Sequence, residues 1–350
     1  MTGQLNLEQI QEKLKQWFQS KILQGREIRC FPLRKPGAGL SNETFLLQIE
    51  YEEQGKKKLE KLVIRWAPMA HVLFPKYDMK EQFLIMKHLG NTDVPVPRAR
   101  WLEEDRSIIG SPFYIVDEVE GWIPTENPPY HSAGRLFEAP PEYRGKIWWE
   151  AIDTLVKIHS VNWEKAGLTF LGVPKGGTDP IDRHIAYYEK MLRETSGPPQ
   201  PTLEAALDWL KKNRPSPRRV SLCWGDARLS NLIYRDDKVA AVLDWEMALL
   251  GDPESDLMWF LHMDWAIGPA WNIPRLEGLP SKEETIRYYE EKTKAKVENV
   301  FYHEVFAAWR IGVIYNKLEG ILHQIGYIPP EIHINTAQLE KLSNLLGLKE

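Results

Sequence analysis

The sequence predicts an α+β protein in which a small, strand-rich lobe precedes a larger, mainly helical lobe. Three observations predict this class. Apolar residues alternate with other residues between Phe45 and Trp66, as expected for half-buried strands. From Lys146 onward, apolar residues mostly recur every three or four positions, which is typical of amphipathic helices. The length of 350 residues also fits about two lobes, since domains commonly contain ~100–200 residues.

Composition and charge exclude several classes of protein. The chain is 43% hydrophobic and 27% charged, so it can bury enough apolar surface to fold. Its net charge of −4 argues against nucleic-acid binding, and two cysteines, Cys30 and Cys223, provide no disulfide framework. No apolar run approaches the ~18 residues of a membrane span, and residues 1–13 contain no secretory signal. We therefore expect a cytoplasmic protein with no nucleic-acid or membrane partner.

The first lobe is predicted from its hydrophobic periodicity. The expected elements are a helix at 10–22, strands at 45–51 and 62–66, a helix at 78–89 and a strand at 113–119. The polar stretch 52–58, which contains three consecutive lysines, predicts a long solvated turn between the first two strands. Together these elements indicate a mostly antiparallel sheet with few helices.

The second lobe begins with a region rich in proline and aromatic residues, 122–144, which predicts a loop. Helical spacing then dominates. The expected helices lie at 146–158, 181–193, 202–212, 284–293 and 300–323. Three short strand-like runs interrupt this pattern, at 220–224, 232–235 and 239–243. The chemistry-bearing residues of the chain cluster around these three runs.

Three oxygen-bearing side chains are predicted to meet at one end of a hairpin. Asp226 follows a short apolar strand and a glycine, Asn231 opens the next strand, and Asp244 closes the third. Pairing of the second and third strands brings Asn231 and Asp244 to the same end. Hard oxygen ligands of this kind suit Mg²⁺, which binds one or two carboxylates together with phosphate oxygens. The alternative is that each residue only satisfies backbone groups in a turn.

These residues carry a specific resemblance. The spacing from Asp226 to Asn231 resembles the D-x-x-x-x-N catalytic loop of protein kinases, and Asp244-Trp245-Glu246 is similar to the metal motif of aminoglycoside phosphotransferases and their relatives. The later 251–257 segment, Gly-Asp-Pro-Glu-Ser-Asp-Leu, also matches that family. The resemblance covers residues 28–322 and is strongest to the subgroup that includes the kinase-like domain of acyl-CoA dehydrogenase fusion proteins.

The resemblance implies a fold and a division of labour. A bilobal protein-kinase-like fold is expected, with a nucleotide-binding lobe at 1–117 and a catalytic and acceptor-binding lobe at 118–350. It implies that Asp226 orients the acceptor hydroxyl and takes its proton, and that Asn231 and Asp244 hold Mg²⁺. Arg228, two residues after Asp226, would stabilise charge on the transferring phosphoryl group.

For the nucleotide, the resemblance implies contacts from the first lobe. Loop 37–42 (Gly-Ala-Gly-Leu-Ser-Asn) would cover the phosphates and Arg65 would bind them, with the helix position of its usual acidic partner falling on Gln82 and Glu81 adjacent. The contacts implied for ATP are Gly39, Ser41, Asn42, Arg65 and Gln82, with the backbone of Glu118 and Val119 meeting adenine.

Three residues depart from the family pattern. Trp224 replaces the histidine expected two residues before Asp226, Arg65 replaces a lysine, and Gln82 replaces an acid. The histidine is expected to brace neighbouring backbone, so Trp224 is compatible with activity. Without an acid at 82, either Glu81 pairs with Arg65 or phosphate binding relies on Arg65 alone.

The sequence therefore predicts an ATP-dependent, Mg²⁺-dependent phosphotransferase acting on a small hydroxylated molecule. An aminoglycoside and a hydroxy acid are both candidate acceptors, with Glu246, His262 and Asp264 as candidate pocket residues. The alternatives are a pseudokinase that binds nucleotide or acts as a scaffold, and a metal-dependent phosphohydrolase. The latter is the weaker alternative because one asparagine and two aspartates do not obviously hold two bridged metals.

Overall fold

The first part of the chain folds around one antiparallel sheet. The computed structural model describes residues 7–36, 43–68, 72–195 and 200–348. The sheet has five strands in the order β1-β2-β3-β5-β4. The strands are β1 (Ile28–Cys30), β2 (Glu43–Glu53), β3 (Lys56–Trp66), β4 (Ala99–Glu103) and β5 (Phe113–Asp117). The predicted α+β class is confirmed.

Two helices accompany this sheet. Helix α1 (Leu7–Trp17) continues through one π-helical turn, Phe18–Ile22, and α2 spans Met79–Leu89. The predicted bounds of both helices are close to these, and the Asp78 side chain caps α2 by accepting a hydrogen bond from the Glu81 N–H at 2.9 Å. Helix α1 is tied to β4 by Trp17, whose indole Nε1 donates to Glu103 Oε2 at 2.7 Å.

The β2–β3 hairpin is longer than the sequence predicts. Its strands pair along their whole length, from Glu43 opposite Trp66 to Glu53 opposite Lys56. The expected long turn at 52–58 is therefore wrong. The turn is made by Gln54 and Gly55 alone, both with positive φ (52° and 73°), as a two-residue hairpin turn requires. Cross-strand pairing of lysines with glutamates stabilises a ribbon that hydrophobic alternation alone does not predict.

The core of this part lies on one face of the sheet. Phe45, Leu47 and Ile49 alternate inward on β2, directly opposite inward residues of β3. The Phe45 and Trp66 rings stack at 4.6 Å between centroids. Residues Ile10, Leu14, Trp17 and Phe18 cover this face from the helical segment. An amphipathic helix thus completes the burial of one sheet face.

The second part of the chain is mainly helical. Its helices are α3 (Gly134–Glu138), α4 (Pro141–Ser160), α5 (Asp179–Arg193), α6 (Pro201–Lys212), α7 (Pro253–Ile267), α8 (Lys282–Thr293), α9 (Val300–Gln324) and α10 (Thr336–Leu346). The expected loop at 122–144 is thus wrong from residue 134 onward, because α3 lies at Gly134–Glu138 and α4 begins at Pro141. Proline lacks the backbone N–H that the first helical residue does not use, so it favours this start.

Two small antiparallel pairs lie within the helical part. Strand β6 (Ser221–Cys223) pairs with β9 (Leu249–Gly251), and β7 (Leu232–Arg235) pairs with β8 (Lys238–Val242). The predicted β7–β8 hairpin is confirmed. The contacts divide the chain into unit 1, residues 1–90 and 97–119, and unit 2, residues 91–96 and 120–350. Among the described residues, no helix is long and apolar enough to cross a lipid bilayer.

We expect burial within the β2–β3 hairpin to determine its stability. Leu47→Ala removes a fully buried side chain and is expected to lower the free energy of unfolding by about 2–5 kcal/mol. The matched control is Leu59→Ala on the same hairpin, where the side chain is 53% exposed and we expect a change below about 0.5 kcal/mol. Urea unfolding followed by circular dichroism measures both, and equal losses would contradict the packing described.

Candidate active site

The segment between β6 and β7 places Asp226 at a tight turn that requires glycine before it. Gly225 has a φ of +86°, and a Cβ atom built there would lie 2.0 Å from the Met247 carbonyl oxygen. Only glycine tolerates both the left-handed conformation and this close approach. The turn thus sets the direction in which Asp226 leaves strand β6.

Asp256, fully buried in the first turn of α7, holds this turn through the backbone. Its carboxylate accepts the Trp224 N–H at 2.5 Å and the Gly225 N–H at 2.9 Å. His159 Nε2 lies 3.2 Å from the same carboxylate. The Arg310 guanidinium, also fully buried, donates to the Gly225 carbonyl oxygen at 2.8 Å. Both the N–H groups and a C=O group of the turn are therefore held by hydrogen bonds with buried side chains.

The Asp226 carboxylate is buried and oriented by two neighbours. Its Oδ1 accepts a hydrogen bond from Trp259 Nε1 at 3.1 Å, and its Oδ2 accepts one from Asn231 Nδ2 at 2.8 Å. The side chain of Asn231 also donates to the Asp226 carbonyl oxygen at 3.1 Å. These bonds fix the Asn231 amide group so that its NH₂ faces Asp226 and its oxygen Oδ1 faces away.

The β7–β8 hairpin carries Asn231 and Asp244 at one end. The Leu243 N–H donates to the Asn231 carbonyl oxygen at 2.9 Å, directly before Asp244. Asp244 itself adopts a φ of 59°, which ends β8 and turns the chain. An amide oxygen and a half-buried carboxylate at this end, with Asp226 beside them, form the kind of hard-oxygen donor set that fits Mg²⁺.

The charges of the site are coupled. Burial raises the pKa of the Asp226 carboxyl, the Arg228 guanidinium lowers it, and the negative charges of Asp244 and Glu126 raise it again. Three carboxylates within electrostatic range of one another are unfavourable without cations. One such cation is Arg228, and a divalent ion at Asn231 and Asp244 would be another.

Arg228 lies between two carboxylates. Its NH1 is 2.6 Å from Glu126 Oε1, and its NH2 is 3.1 Å from Asp226 Oδ2. Although burial lowers the pKa of Arg228, Asp226 and Glu126 raise it above its usual value. The Ser230 hydroxyl also donates to Glu126 Oε1, at 2.5 Å. Arg228 is therefore held in place, with its positive charge beside Asp226.

Glu126 reaches this position through backbone pairing. Trp122 exchanges two hydrogen bonds of 2.8 Å with Tyr234 on β7, so the chain before Glu126 runs beside the hairpin. The sequence predicts a loop at 122–144 and gives no indication of a role for Glu126. It also did not assign Trp259 to Asp226. The signal for the Trp259 contact was the high tryptophan count of 14, since buried indole N–H groups usually need an acceptor.

Trp224 braces the neighbouring strand. Its backbone N–H bonds Asp256, and its indole Nε1 donates to the Leu243 carbonyl oxygen at 2.8 Å. Leu243 directly precedes Asp244, so the indole links the Asp226 turn to the Asp244 end of β8. A residue that replaces the expected histidine thus contacts neighbouring backbone in the way expected of that histidine.

In unit 1, Arg65 lies on β3 directly opposite Tyr114 of β5. The Tyr114 hydroxyl donates to Gln82 Oε1 at 3.4 Å, and Gln82 is buried on α2. Glu81 instead contacts Lys76, with 2.9 Å between Oε2 and Nζ. Tyr114 thus lies opposite Arg65 and contacts Gln82, and the Glu81 charge is already shared with Lys76.

The other residues predicted to contact ATP are in loop 37–42 and directly after β5. Gly39, Ser41 and Asn42 are outside the described residues. Glu118 and Val119 follow β5, where the Glu118 N–H donates to the Lys61 carbonyl oxygen at 3.0 Å. Any contact of Glu118 backbone with a base would therefore use its carbonyl oxygen.

Two of the candidate acceptor residues are engaged elsewhere. Asp264 is buried, accepts the Tyr130 hydroxyl at 2.7 Å and pairs with Arg275 Nε at 2.6 Å. His262 is buried with its Nε2 2.9 Å from Gln338 Oε1. Glu246 is half-buried beyond Asp244. The charge of Asp264 is thus already compensated by Arg275.

Curated proteins similar to this chain carry acyl-CoA dehydrogenase names. Acyl-CoA dehydrogenase family member 10 of Mus musculus is 31% identical over 294 residues, which cover 81% of this chain and 25% of that protein. Acyl-CoA dehydrogenase family member 11 of Homo sapiens is 29% identical over 267 residues, covering 72% and 31% respectively. The chain thus spans about a quarter to a third of the length of these relatives. The resemblance to this subgroup is confirmed.

Similar solved structures are phosphotransferases. A Ralstonia eutropha protein provisionally described as an aminoglycoside phosphotransferase has a TM-score of 0.69 at 23% identity, covering 97% of this chain and 99% of its own. Aminoglycoside phosphotransferase APH(4)-Ia, in a ternary complex with AMP-PNP and hygromycin B, has a TM-score of 0.59 at 13% identity, covering 97% and 100%. Macrolide 2′-phosphotransferase MphH from Brachybacterium faecium has a TM-score of 0.51 at 15% identity, covering 96% of this chain and 99% of its own. These likenesses confirm the predicted kinase-like fold.

We expect the turn before Asp226 to tolerate no side chain. Gly225→Ala should lower the free energy of unfolding by about 3 kcal/mol or more, since backbone strain and overlap with the Met247 carbonyl add. Gly176→Ala is the matched control, because Gly176 also has a left-handed φ of +94° but no described atom within 4 Å of its Cβ position. There we expect about 1 kcal/mol. Similar losses in urea unfolding would show that the Met247 contact is unimportant.

The family is shown by sequence. The model of the phosphotransferase enzyme family matches residues 32–288, which include the whole 226–256 constellation and most of both units. The solved structures have a similar fold, and the sequences of the curated relatives are similar over most of this chain. This chain belongs to the phosphotransferase enzyme family.

Proposed function

We propose that this protein transfers the γ-phosphoryl group of ATP to a hydroxyl group of a small molecule. The observation that carries the proposal is the Asn231 amide, whose NH₂ is bonded to Asp226 so that its oxygen is left for a metal. Family membership supports phosphoryl transfer, and the AMP-PNP bound to a structural neighbour supports ATP as the donor.

In the proposed reaction, Asp226 orients the acceptor hydroxyl and accepts its proton as the new P–O bond forms. Trp259 and Asn231 hold the carboxylate in one rotamer for this purpose. Asn231 and Asp244 would hold Mg²⁺, which when bound neutralises charge on the phosphate oxygens. Arg228 adds a fixed positive charge beside Asp226, where charge develops on the transferring group.

We assign nucleotide binding to residues 1–117 and catalysis and acceptor binding to 118–350. Arg65 would bind phosphate, with Tyr114 opposite it on β5 and Gln82 hydrogen-bonded to Tyr114. Loop 37–42, with Gly39, Ser41 and Asn42, would cover the phosphates. The Glu118 carbonyl and the Val119 backbone would meet adenine, since the Glu118 N–H is engaged with Lys61. We propose a cytoplasmic location.

The acceptor is a small hydroxylated molecule. A structural neighbour binds the aminoglycoside hygromycin B. Polycationic aminoglycosides need an acidic cleft, whereas Asp264 is already paired with Arg275 in this chain. That pairing favours a less cationic alcohol, for which a hydroxy acid is the second candidate.

A catalytically weak pseudokinase is the alternative. The observation that favours it is that the position of the family's usual acid holds the neutral Gln82, which accepts a hydrogen bond from Tyr114, while the Glu81 charge is shared with Lys76. Thermal shift with ATP and Mg²⁺ against EDTA tests nucleotide binding, and ADP release with a library of alcohols tests transfer. Nucleotide binding without ADP release across the library would favour the pseudokinase.

Substitution of Asp226 tests the proposed base. Asp226→Asn is expected to lower kcat at least about 100-fold while Mg-ATP still binds, because the proton acceptor is lost but the metal ligands remain. Asp244→Ala should weaken Mg-ATP binding as well. Asp236→Asn is the control, since this exposed residue lies in the β7–β8 turn and asparagine tolerates its φ of 55°. An Asp226→Asn enzyme with unchanged turnover would refute the assignment.

Glu126 is expected to act as a positioning residue for Arg228. Glu126→Gln should lower kcat by about 10-fold with little change in the KM for ATP, because the arginine remains but is held less firmly. Ser230→Ala leaves the Glu126–Arg228 ion pair intact and should have a smaller effect. Steady-state kinetics measure both. A rise in KM alone would place Glu126 in nucleotide binding instead.

A further inference from the structure

A second cluster of ligand-type side chains lies where helices α7 and α9 begin. Asp252 caps α7, Glu254 lies in its first turn, and His303 lies in the first turn of α9. One ligand atom from each lies within 4.8 Å of those of the other two. None of the three belongs to the Asp226 site, so this cluster is separate from the proposed active site.

His303 is the most informative member. Its side chain is fully buried, and Nδ1 lies 3.1 Å from the Ser255 hydroxyl. Nε2 lies 3.2 Å from Asp252 Oδ2, but the geometry is not that of a hydrogen bond and Nε2 has no such partner among the described residues. In the tautomer with its proton on Nδ1, which can donate to Ser255, Nε2 has its lone pair toward the carboxylates. This is the arrangement in which histidine binds metals.

Each carboxylate keeps one oxygen for the cluster. Asp252 Oδ1 accepts the Glu254 N–H at 3.0 Å, so Oδ2 is the oxygen that faces His303. Glu254 Oε2 accepts the Glu298 N–H at 2.8 Å, which leaves Oε1. Two crowded carboxylates beside an imidazole lone pair would be stabilised by a cation between them.

We propose that Asp252, Glu254 and His303 bind a divalent transition-metal ion of the Zn²⁺ type. Zn²⁺ takes imidazole nitrogen and carboxylate oxygen at about 2.0–2.1 Å in a tetrahedron, which places neighbouring ligand atoms about 3.3 Å apart. The 3.2 Å between His303 Nε2 and Asp252 Oδ2 fits this separation. Rotation of the Glu254 side chain brings in the third ligand, and water supplies the fourth. A nitrogen donor favours Zn²⁺ over Mg²⁺.

A small surface cavity reaches the two carboxylate ligands of the cluster. Asp252 and Glu254 line it, together with Arg218, Arg219 and Lys296. These three cations are held by their own partners: Arg218 by Glu298, Arg219 by the Tyr289 hydroxyl at 2.9 Å, and Lys296 by Glu290 at 2.8 Å. The cavity is therefore not an open anion site, although its positive charges will weaken metal affinity. This inference does not rest on the proposed phosphoryl transfer.

The bound ion would tie the start of α7 to the start of α9. Asp256, which holds the Asp226 turn, lies in the same first turn of α7. The expected consequence is a higher melting temperature in Zn²⁺, whether or not substrate is present.

The experiment titrates ZnCl₂ into tag-free, chelator-dialysed protein. We expect one Zn²⁺ per chain by competition with a chromophoric chelator, a rise in melting temperature that excess MgCl₂ does not reproduce, and visible d–d bands of tetrahedral Co²⁺. Glu254→Gln should weaken Zn²⁺ binding at least about 100-fold, and Ser255→Ala, which only loosens the imidazole, about 10-fold.

The controls separate loss of metal from loss of fold. Glutamine at 254 can still accept the Glu298 N–H and removes repulsion with Asp252, so the metal-free variant should melt no lower than the wild type. If the metal-free Glu254→Gln variant melts at a lower temperature than the wild type, the Zn²⁺ affinity of Ser255→Ala is the deciding measurement. His333→Gln, which alters another histidine–carboxylate pair (2.9 Å to Glu319), and Asp244→Ala should leave Zn²⁺ affinity unchanged. Absence of stoichiometric binding, unchanged affinity in the Glu254 and Ser255 variants, or loss of binding in the His333 or Asp244 variants would overturn the proposal.

Discussion

The carboxylate of Asp256 is the contact on which the candidate site depends. It accepts two successive backbone N–H groups, those of Trp224 and Gly225, in a fully buried position. Hydrogen bonds to a charged acceptor are stronger than those between neutral groups, and here they fix a turn whose φ only glycine adopts readily. Because Asp226 follows that turn directly, the direction of its side chain is set by a residue thirty positions later in the chain.

Charge balance organises the rest of the site. Asp226, Asp244 and Glu126 bring negative charge together, and Arg228 is the cation placed among them. Such an arrangement would be stabilised by the further cation that we propose at the Asn231 and Asp244 oxygens. The same physical reasoning applies to Asp252 and Glu254 beside His303, where the donor set includes nitrogen. We therefore propose a different metal for each of these carboxylate clusters among the described residues of unit 2, because their donor atoms differ.

The sequence predicted much of the fold where local rules operate. Helices α2, α5, α6 and α9 were anticipated to within a few residues because their apolar periodicity, caps and prolines are local signals. The long β2–β3 ribbon was underestimated, since cross-strand Lys–Glu pairing, not hydrophobic alternation, extends it. The start of α4 was missed because its first turn is polar. Strands β1 and β4 were not predicted; β1 has only three residues, and in β4 four residues are half-buried and the buried one is Glu103, so neither shows apolar alternation.

By itself, the sequence determined the order and spacing of Asp226, Asn231 and Asp244 around a hairpin, and with them the family, because these residues are close along the chain. Only the tertiary structure decided what surrounds them. Glu126 and Trp259 lie about a hundred and about thirty residues from the Asp226 turn, and no local rule links them to it. Likewise, Asp264 looked like an acid available to an acceptor until the fold paired it with Arg275. The fold determines which charged side chains are paired, and the spacing of residues along the sequence does not reveal these pairs.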